Sequence, residues 1–121
     1  MNMNVRKRLG TALLPLALLL AAGIPGFGKN SHPVTLTHDA VLAGTTLSAG
    51  KYVIHWQTHS PEATVQFVQH HKVVLSAGGR IERRDHAYEQ DATVYDTAAD
   101  GTMHLIEIRF AYSNKVLVFN Q

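Results

Sequence analysis

The sequence of 121 residues contains no cysteine. Disulfides, thiolate metal ligands and a lipoprotein attachment site are therefore excluded, and a small domain must rely on apolar packing for its stability. The H-E-x-x-H, G-x-S-x-G and glycine-rich phosphate-loop motifs are also missing, as is a carboxylate-rich calcium loop. We therefore predict a protein that is not an enzyme, and we assign no catalytic or cofactor-binding residue.

The chain beyond Pro33 also lacks any convincing stretch with the 3.6-residue apolar period of a helix. Short apolar or alternating runs, bounded by Gly, Asn, Asp or Ser, are typical of an all-β protein. We predict a small antiparallel β-sandwich or partly open barrel of about seven to eight strands. The predicted strands are residues 34–42, 51–57, 63–69, 72–77, 80–84, 92–96, 103–110 and 115–120.

The beginning of the chain has the order of a secretory signal. A basic segment at residues 6–8 precedes an apolar run at residues 9–22, which closes in small side chains. This run is shorter than the roughly 20 apolar residues that span a bilayer, and Pro15 interrupts it. The pattern therefore predicts a periplasmic or secreted protein rather than a membrane-anchored one.

Cleavage is predicted near Gly23 or Gly28, which makes residues 1–28 the signal peptide and leader and residues 29–121 a single domain. Three of the eleven Lys and Arg precede Gly28, whereas all nine Asp and Glu follow it. The domain then has eight basic and nine acidic side chains, a formal charge of −1 with neutral histidine. The pI of 9.1 is largely a property of the leader. We predict no nucleic-acid partner and no integral membrane span in the mature form.

Three turn sequences separate predicted strands. Gly50 directly precedes a strand, where a positive φ costs glycine little. Asp100-Gly101 is a strong hairpin signal, and Ser113-Asn114 lies between the last two strands, where asparagine tolerates the left-handed conformation. These turns predict an antiparallel meander.

Alternation along the strands predicts which side chains face the core. Tyr52, Ile54 and Trp56 share one face, and we expect Trp56 to be buried with the other two. By the same parity, the predicted core face near the end of the chain contains Ile106, Ile108 and Phe110, with His104 beginning that face or lying at its rim.

Eight histidines are the unusual feature of the composition, and His70 and His71 are adjacent. A three-residue loop at this pair would gather Val65, Phe67, Val73 and Leu75 on one face, so we predict such a loop with both histidines exposed. Histidine is among the non-glycine residues enriched at positive φ.

A metal site is the alternative interpretation of the histidines, with Zn or Cu as the metal. The candidate ligands are His55, His59, His70 and His71. Because His55 and His59 stand four residues apart on a predicted strand, about 13 Å separates them, which argues against shared coordination unless the chain bends. A bare histidine pair does not define a metal site, and we predict no cofactor.

The segments "LSAGKYVIHW", "ATVQFVQHHKVV" and "LIEIRFAYSNKVLVF" together resemble a family of small exported bacterial proteins of unknown function. The shared pattern is a leader, an LxAGxYxVxW strand, a V-x-F hairpin and a final LxEIRF and LVF pair, and it spans residues 47–119. The resemblance implies a compact β-sandwich and supplies no catalytic or binding residue.

Three functional hypotheses follow. The first is a non-enzymatic binding or structural module of the cell envelope, with an envelope protein or polymer as its partner. The alternative is a histidine-dependent periplasmic metal-binding protein. The third is an envelope hydrolase, which has the least support because no reactive constellation is recognisable.

Overall fold

The computed structural model describes residues 30–120, which form an all-β fold without a helix. The described residues contain nine strands: β1 (Ser31–Leu36), β2 (Ala40–Leu42), β3 (Thr45–Leu47), β4 (Gly50–His59), β5 (Glu62–Gln69), β6 (Lys72–Arg83), β7 (Ala92–Thr97), β8 (Met103–Arg109) and β9 (Lys115–Phe119). The predicted fold class is confirmed. The predicted signal peptide and its cleavage sites lie outside the described residues.

All nine strands belong to one mixed sheet that is not closed. The strand order is β1-β4-β5-β6-β9-β8-β2-β3, and β7 pairs with β8 as well. Every strand pairing is antiparallel except that of β2 with β8, which is parallel at Val41 and His104. The antiparallel prediction therefore holds for all strand pairings but one.

Two of the predicted strands are divided differently in the structure, and β3 was not predicted, so nine strands are present in the described part of the chain instead of seven to eight. The predicted strand at residues 34–42 is divided into β1 and β2 by a bend, where Asp39 Oδ1 accepts a hydrogen bond from Ala49 N at 2.8 Å. The predicted break before Arg80 does not exist, because β6 continues through Gly79. A Cβ at Gly79 would clash with the carbonyl oxygen of Val118, so glycine here permits close strand pairing rather than a turn.

The core occupies the inner face of this sheet. Tyr52 and Ile54 of β4 are buried, as the alternation predicts. Phe67 is fully buried and contacts the rings of Tyr52 and Phe119, with centroid distances of 6.1 and 5.8 Å. The other residues of the buried core are Val34, Leu36, Ala40, Leu42, Leu47, Ala63, Val65, Ala77, Leu105, Ile108 and Leu117.

A β-bulge in β8 overturns part of the predicted core face. Val94 pairs with Glu107 and Tyr95 with Leu105, so Ile106 is an extra residue in β8. A bulge reverses the parity of a strand. Leu105 before the bulge and Ile108 after it are therefore both buried, whereas Ile106 is half-buried.

The same bulge changes the expected position of His104. The parity of His104 with Ile108 predicts that His104 begins the core face or lies at its rim. In the structure, the core side chain in this part of β8 is Leu105. His104 is half-buried and pairs with Val41 of β2.

The β5–β6 turn contains two residues rather than the predicted three. Gln69 pairs with Lys72, and the intervening His70 and His71 have φ values of 54° and 65°. Two consecutive positive φ values are those of a type I′ turn. Both histidines are exposed, as predicted.

A bulge in β6 compensates for the shorter loop. Phe67 pairs with Leu75 and Val68 with Val73, so Val74 is the extra residue. Phe67 and Leu75 therefore still share the core face, as predicted. The prediction for Val73 is wrong, since it faces outward beside Val68.

The other predicted turns are present. Gly50 and Gly101 have φ values of 146° and 88°. Between β8 and β9, however, the left-handed residue is Tyr112, with a φ of 60°, rather than Asn114. The Asn114 side chain instead donates a hydrogen bond to the carbonyl of Arg84 at 3.3 Å.

Strands β1 and β7 lie side by side without a hydrogen-bonded ladder between them. Side chains join them, as where the Tyr95 hydroxyl accepts a hydrogen bond from Thr37 N at 3.1 Å. Trp56 N donates a hydrogen bond to Asn30 O at 3.0 Å. Because hydrogen-bonded pairs alternate along an antiparallel ladder, the even-numbered residues of β1 direct their backbone N–H and C=O groups towards β4. Pro33 therefore places its missing N–H at the free edge, where it interrupts no ladder.

Within residues 30–120, no helix has the length and apolar character needed to cross a bilayer.

Candidate ligand-binding cleft

A cleft of about 540 Å³ lies at one end of the inner face of the sheet. Its volume falls within the range of about 300–1,000 Å³ that is usual for small-molecule sites. We call it the aromatic cleft. Its lining residues come from four strands and the segments that connect or flank them, and they are Asn30, His32, Trp56, Thr58, Ser60, Ile81, Phe110, Ala111, Ser113 and Lys115.

Two aromatic side chains form the centre of the cleft. Trp56 and Phe110 are stacked, with centroids 5.3 Å apart and ring planes 22° from parallel. Both are half-buried and pack against the edge of the core. Trp56 thus lies on the predicted face of β4, but it is only half-buried instead of fully buried. Its position near the end of β4, beyond the buried Ile54, explains the difference.

His32 forms the third ring of the cleft. It lies edge-on to Phe110, with a centroid distance of 4.9 Å and an angle of 81°. Its Nε2 lies 3.0 Å from Asp91 Oδ2, and the other oxygen of Asp91 accepts a hydrogen bond from Ala111 N at 2.7 Å. Asp91 therefore connects β1 to the loop that follows Phe110.

The surroundings of Asp91 favour its ionised form. The hydrogen bond from Ala111 N is the main cause that lowers the pKa of Asp91, and His32 lowers this pKa further, against the opposing effect of burial. An ionised carboxylate only accepts hydrogen bonds, so His32 Nε2 carries the proton in this contact. The contact holds the His32 ring against Phe110.

Polar groups surround the aromatic centre. The polar residues that line the cleft beside the aromatic pair are Asn30, Thr58, Ser60, Ser113 and Lys115. Among the described residues that line the cleft, Lys115 is the only one with a permanent charge, and none is a carboxylate. The cleft therefore combines ring surfaces with hydrogen-bonding groups and a cation.

A second cation lies beside the cleft. Arg83 of β6 pairs with Lys115 of β9 in the strand register, and both side chains are exposed. In the part of the chain that the structure describes, neither is within ion-pair distance of a carboxylate. Two exposed cations therefore lie at the Lys115 corner of the cleft, whereas the Asp91 carboxylate contacts the lining residues His32 and Ala111.

A smaller cavity of about 370 Å³ lies between β1 and β7 and adjoins the aromatic cleft at His32. Its lining includes Val34 and Thr35 from β1 and Ala92 and Thr93 from β7. His32 is thus a lining residue of both cavities.

The structure does not bring together the four candidate metal ligands. His55 is half-buried on the outer face of β4, opposite Gln66. His59 lies at one end of β5, and His70 and His71 lie at the other. The eight residues of β5 span about 23 Å, so these ends cannot share a metal ion. Within residues 30–120, no group of three or more His, Cys, Asp or Glu side chains is arranged to hold a metal.

A network of charged side chains covers part of the outer face. Glu107 is buried and binds Arg84 and Arg109, with contacts of 2.7 and 2.6 Å. The hydrogen bond to Glu107 raises the pKa of Arg109, whose guanidinium also lies over the ring of Tyr88 at 4.6 Å. The network attaches the β6–β7 connection to β8, and it gives the charged segment around Arg84 a structural role.

Sequence reasoning did not identify the residues that complete the cleft. His32 follows the inward parity of β1, but 59 positions separate it from Asp91, so no local pattern connects them. For Lys115 the sequence predicts only the start of a strand. Phe110 was correctly assigned to the face of Ile108.

In comparisons with protein-family models, curated proteins and solved structures, nothing matches this chain. The resemblance to small exported bacterial proteins therefore stays a prediction. The arrangement of the cleft is the basis for a functional proposal.

Proposed function

We propose that the protein is a non-enzymatic binding module of the cell envelope and that it binds its ligand in the aromatic cleft. The observation that carries this proposal is the stacked, half-buried pair of Trp56 and Phe110 in a cleft of about 540 Å³ with a polar rim. Partly exposed aromatic rings with nearby hydrogen-bonding groups are typical of binding sites.

The polar contacts in the cleft favour binding over catalysis. Nε2 of His32 is occupied by Asp91, and Ser113 Oγ accepts a hydrogen bond from Lys115 N at 3.1 Å. These interactions orient side chains and loops, and they provide no pair of nucleophile and base in contact. The predicted export places the ligand outside the cytoplasm, as a component or breakdown product of an envelope polymer.

The proposal is tested by fluorescence, because Trp56 is the only tryptophan in the chain. The purified protein is titrated with a panel of soluble glycan fragments and short peptides, and at least one probe should give a saturable change in emission. Phe110→Ala should weaken this binding, since it removes half of the stacked pair. Val74→Ala is the matched control, because Val74 is exposed on the outer face of β6.

A saturable signal that survives Phe110→Ala would place binding elsewhere. No saturable signal with any probe, together with no shift of the thermal unfolding temperature, would contradict the proposal.

A further inference from the structure

We propose that the aromatic cleft recognises an acidic saccharide, a sugar ring that carries a carboxylate. This inference rests on the proposed function and specifies the ligand class for the same site. It combines two features of the cleft, the ring surface of Trp56 and Phe110 and the unpaired cations Lys115 and Arg83.

The ring surface and the rim match the two kinds of surface that a sugar presents. A pyranose ring has C–H faces that pack on aromatic rings and hydroxyl groups around its edge. Trp56 and Phe110 provide the aromatic surface. Thr58, Ser60 and Asn30 provide donors and acceptors around it. A purely apolar ligand would leave these polar groups without partners when it displaced water, at a cost in affinity.

The charges of the cleft select an acidic ligand. Lys115 lines the cleft and Arg83 is its cross-strand neighbour, whereas the carboxylate of Asp91, which adjoins the lining, is engaged by His32 and by Ala111 N. A carboxylate on the sugar would pair with Lys115 in a charge-assisted hydrogen bond. A neutral sugar would gain the stacking and hydroxyl contacts without this pairing.

An extended peptide fits the site less well. A peptide that adds to a sheet binds through the backbone groups of a free edge. The free edge beside the cleft belongs to β1, where Pro33 lacks an N–H; just after this strand, Thr37 N is already bonded to Tyr95. The edge therefore offers a discontinuous set of donors to a strand.

The test is a titration of Trp56 fluorescence in the purified protein at low ionic strength. The probes are a trigalacturonate and the neutral galactose trisaccharide, which differ in their carboxylates. We expect the acidic probe to bind about five- to tenfold more tightly, as one partly exposed ion pair supplies about 1 kcal/mol or slightly more. This preference should diminish as salt is added.

Substitutions test which side chains cause the preference for the acidic saccharide. Lys115→Gln should reduce the affinity for trigalacturonate to that for the neutral probe, and Arg83→Gln should reduce it partly. Lys72→Gln is the matched control, because Lys72 is an exposed lysine at the opposite end of β6. Phe110→Ala should weaken the binding of both saccharides.

The outcomes separate this inference from the proposed function. Equal binding of the two saccharides, or a preference that is unchanged in Lys115→Gln, overturns the acidic-saccharide inference and leaves the binding module standing. Binding of a peptide probe, with no binding of either saccharide, likewise overturns the acidic-saccharide inference and leaves the binding module standing. Failure of every probe overturns both.

Discussion

At the residue scale, Trp56 has two roles in the structure. It extends the core face of β4 beyond Ile54, and it lines the aromatic cleft together with Phe110, on which it stacks. A residue that is wholly inside a core contributes only to packing, whereas a half-buried ring contributes to packing and remains accessible to a ligand. The partial burial of Trp56 is therefore the property that links the fold to the proposed function.

Partial burial also sets the expected cost of removing this side chain. Full burial predicts a loss of about 3–5 kcal/mol for Trp56→Ala, and the half-buried position reduces the expected loss to about 1.5–3 kcal/mol. Denaturant unfolding measures this difference, with Phe110→Ala as the comparison because it removes the stacking partner. A loss below about 0.5 kcal/mol would show that the ring contributes nothing to the core.

At the element scale, two β-bulges explain why several side chains of β8 and β6 lie on another face than strict alternation predicts. Strict alternation places Ile106 and Ile108 on one face, but the extra residue in β8 puts Leu105 and Ile108 in the core instead. In β6 the extra Val74 accompanies a tighter turn than the predicted one. A bulge has no reliable signature in a single sequence, because it is selected by how the neighbouring strands pair.

The β5–β6 turn gives a prediction at this scale. His70 and His71 both adopt positive φ, which histidine tolerates less well than Asn and Gly do. Replacing the pair by His70→Asn with His71→Gly should therefore stabilise the protein by about 0.5–1 kcal/mol. The midpoint of urea unfolding should increase without a change in the slope.

The control variant introduces the same two residues in the opposite order, His70→Gly with His71→Asn. This order fits a type I′ turn less well. If the variant with Asn first is no more stable than the natural chain, the turn does not have the assigned conformation. Zinc-dependent protection of the natural turn would support the alternative metal-binding interpretation.

At the scale of the whole molecule, Asp91 connects distant parts of the open sheet. Its two oxygens bind His32 in β1 and the backbone after Phe110, so it closes the seam between β1 and β7 and positions one wall of the cleft. Side chains connect β1 and β7 here, since no hydrogen-bonded ladder joins the two strands. The stability of the closed arrangement should therefore depend on the charge of Asp91.

The direction of this dependence follows from the lowered pKa of Asp91, whose ordinary value is 3.8. A carboxyl with a lower pKa in the folded state stabilises the fold above the unfolded-state pKa, and this contribution is lost as the pH falls through the folded-state pKa. Asp91→Asn should therefore be less stable than the natural chain at about pH 6, and the difference should shrink as the pH falls below about 3.8.

Urea unfolding of both proteins across this range measures the difference. Asp96→Asn is the matched control, since Asp96 is exposed on β7. A difference that is constant or grows towards acid pH would show that the ionised form of Asp91 does not hold the seam.

The sequence by itself determined the all-β class, the position of most strands and the faces of β4 and β5. These follow from local physical chemistry, because alternation sets the faces of a strand and residues such as Gly50 and Gly101 mark turns. The exposure of His70 and His71 was predictable for the same reason.

Only the tertiary structure decided which side chains meet. The contact of His32 with Asp91, the stacking of Trp56 on Phe110 and the position of Lys115 at the same cleft all join residues far apart in the chain. The order of strands in the sheet and the bulge at Ile106 create these contacts. Neither has a local signal, since both depend on the pairing of whole strands around a shared core.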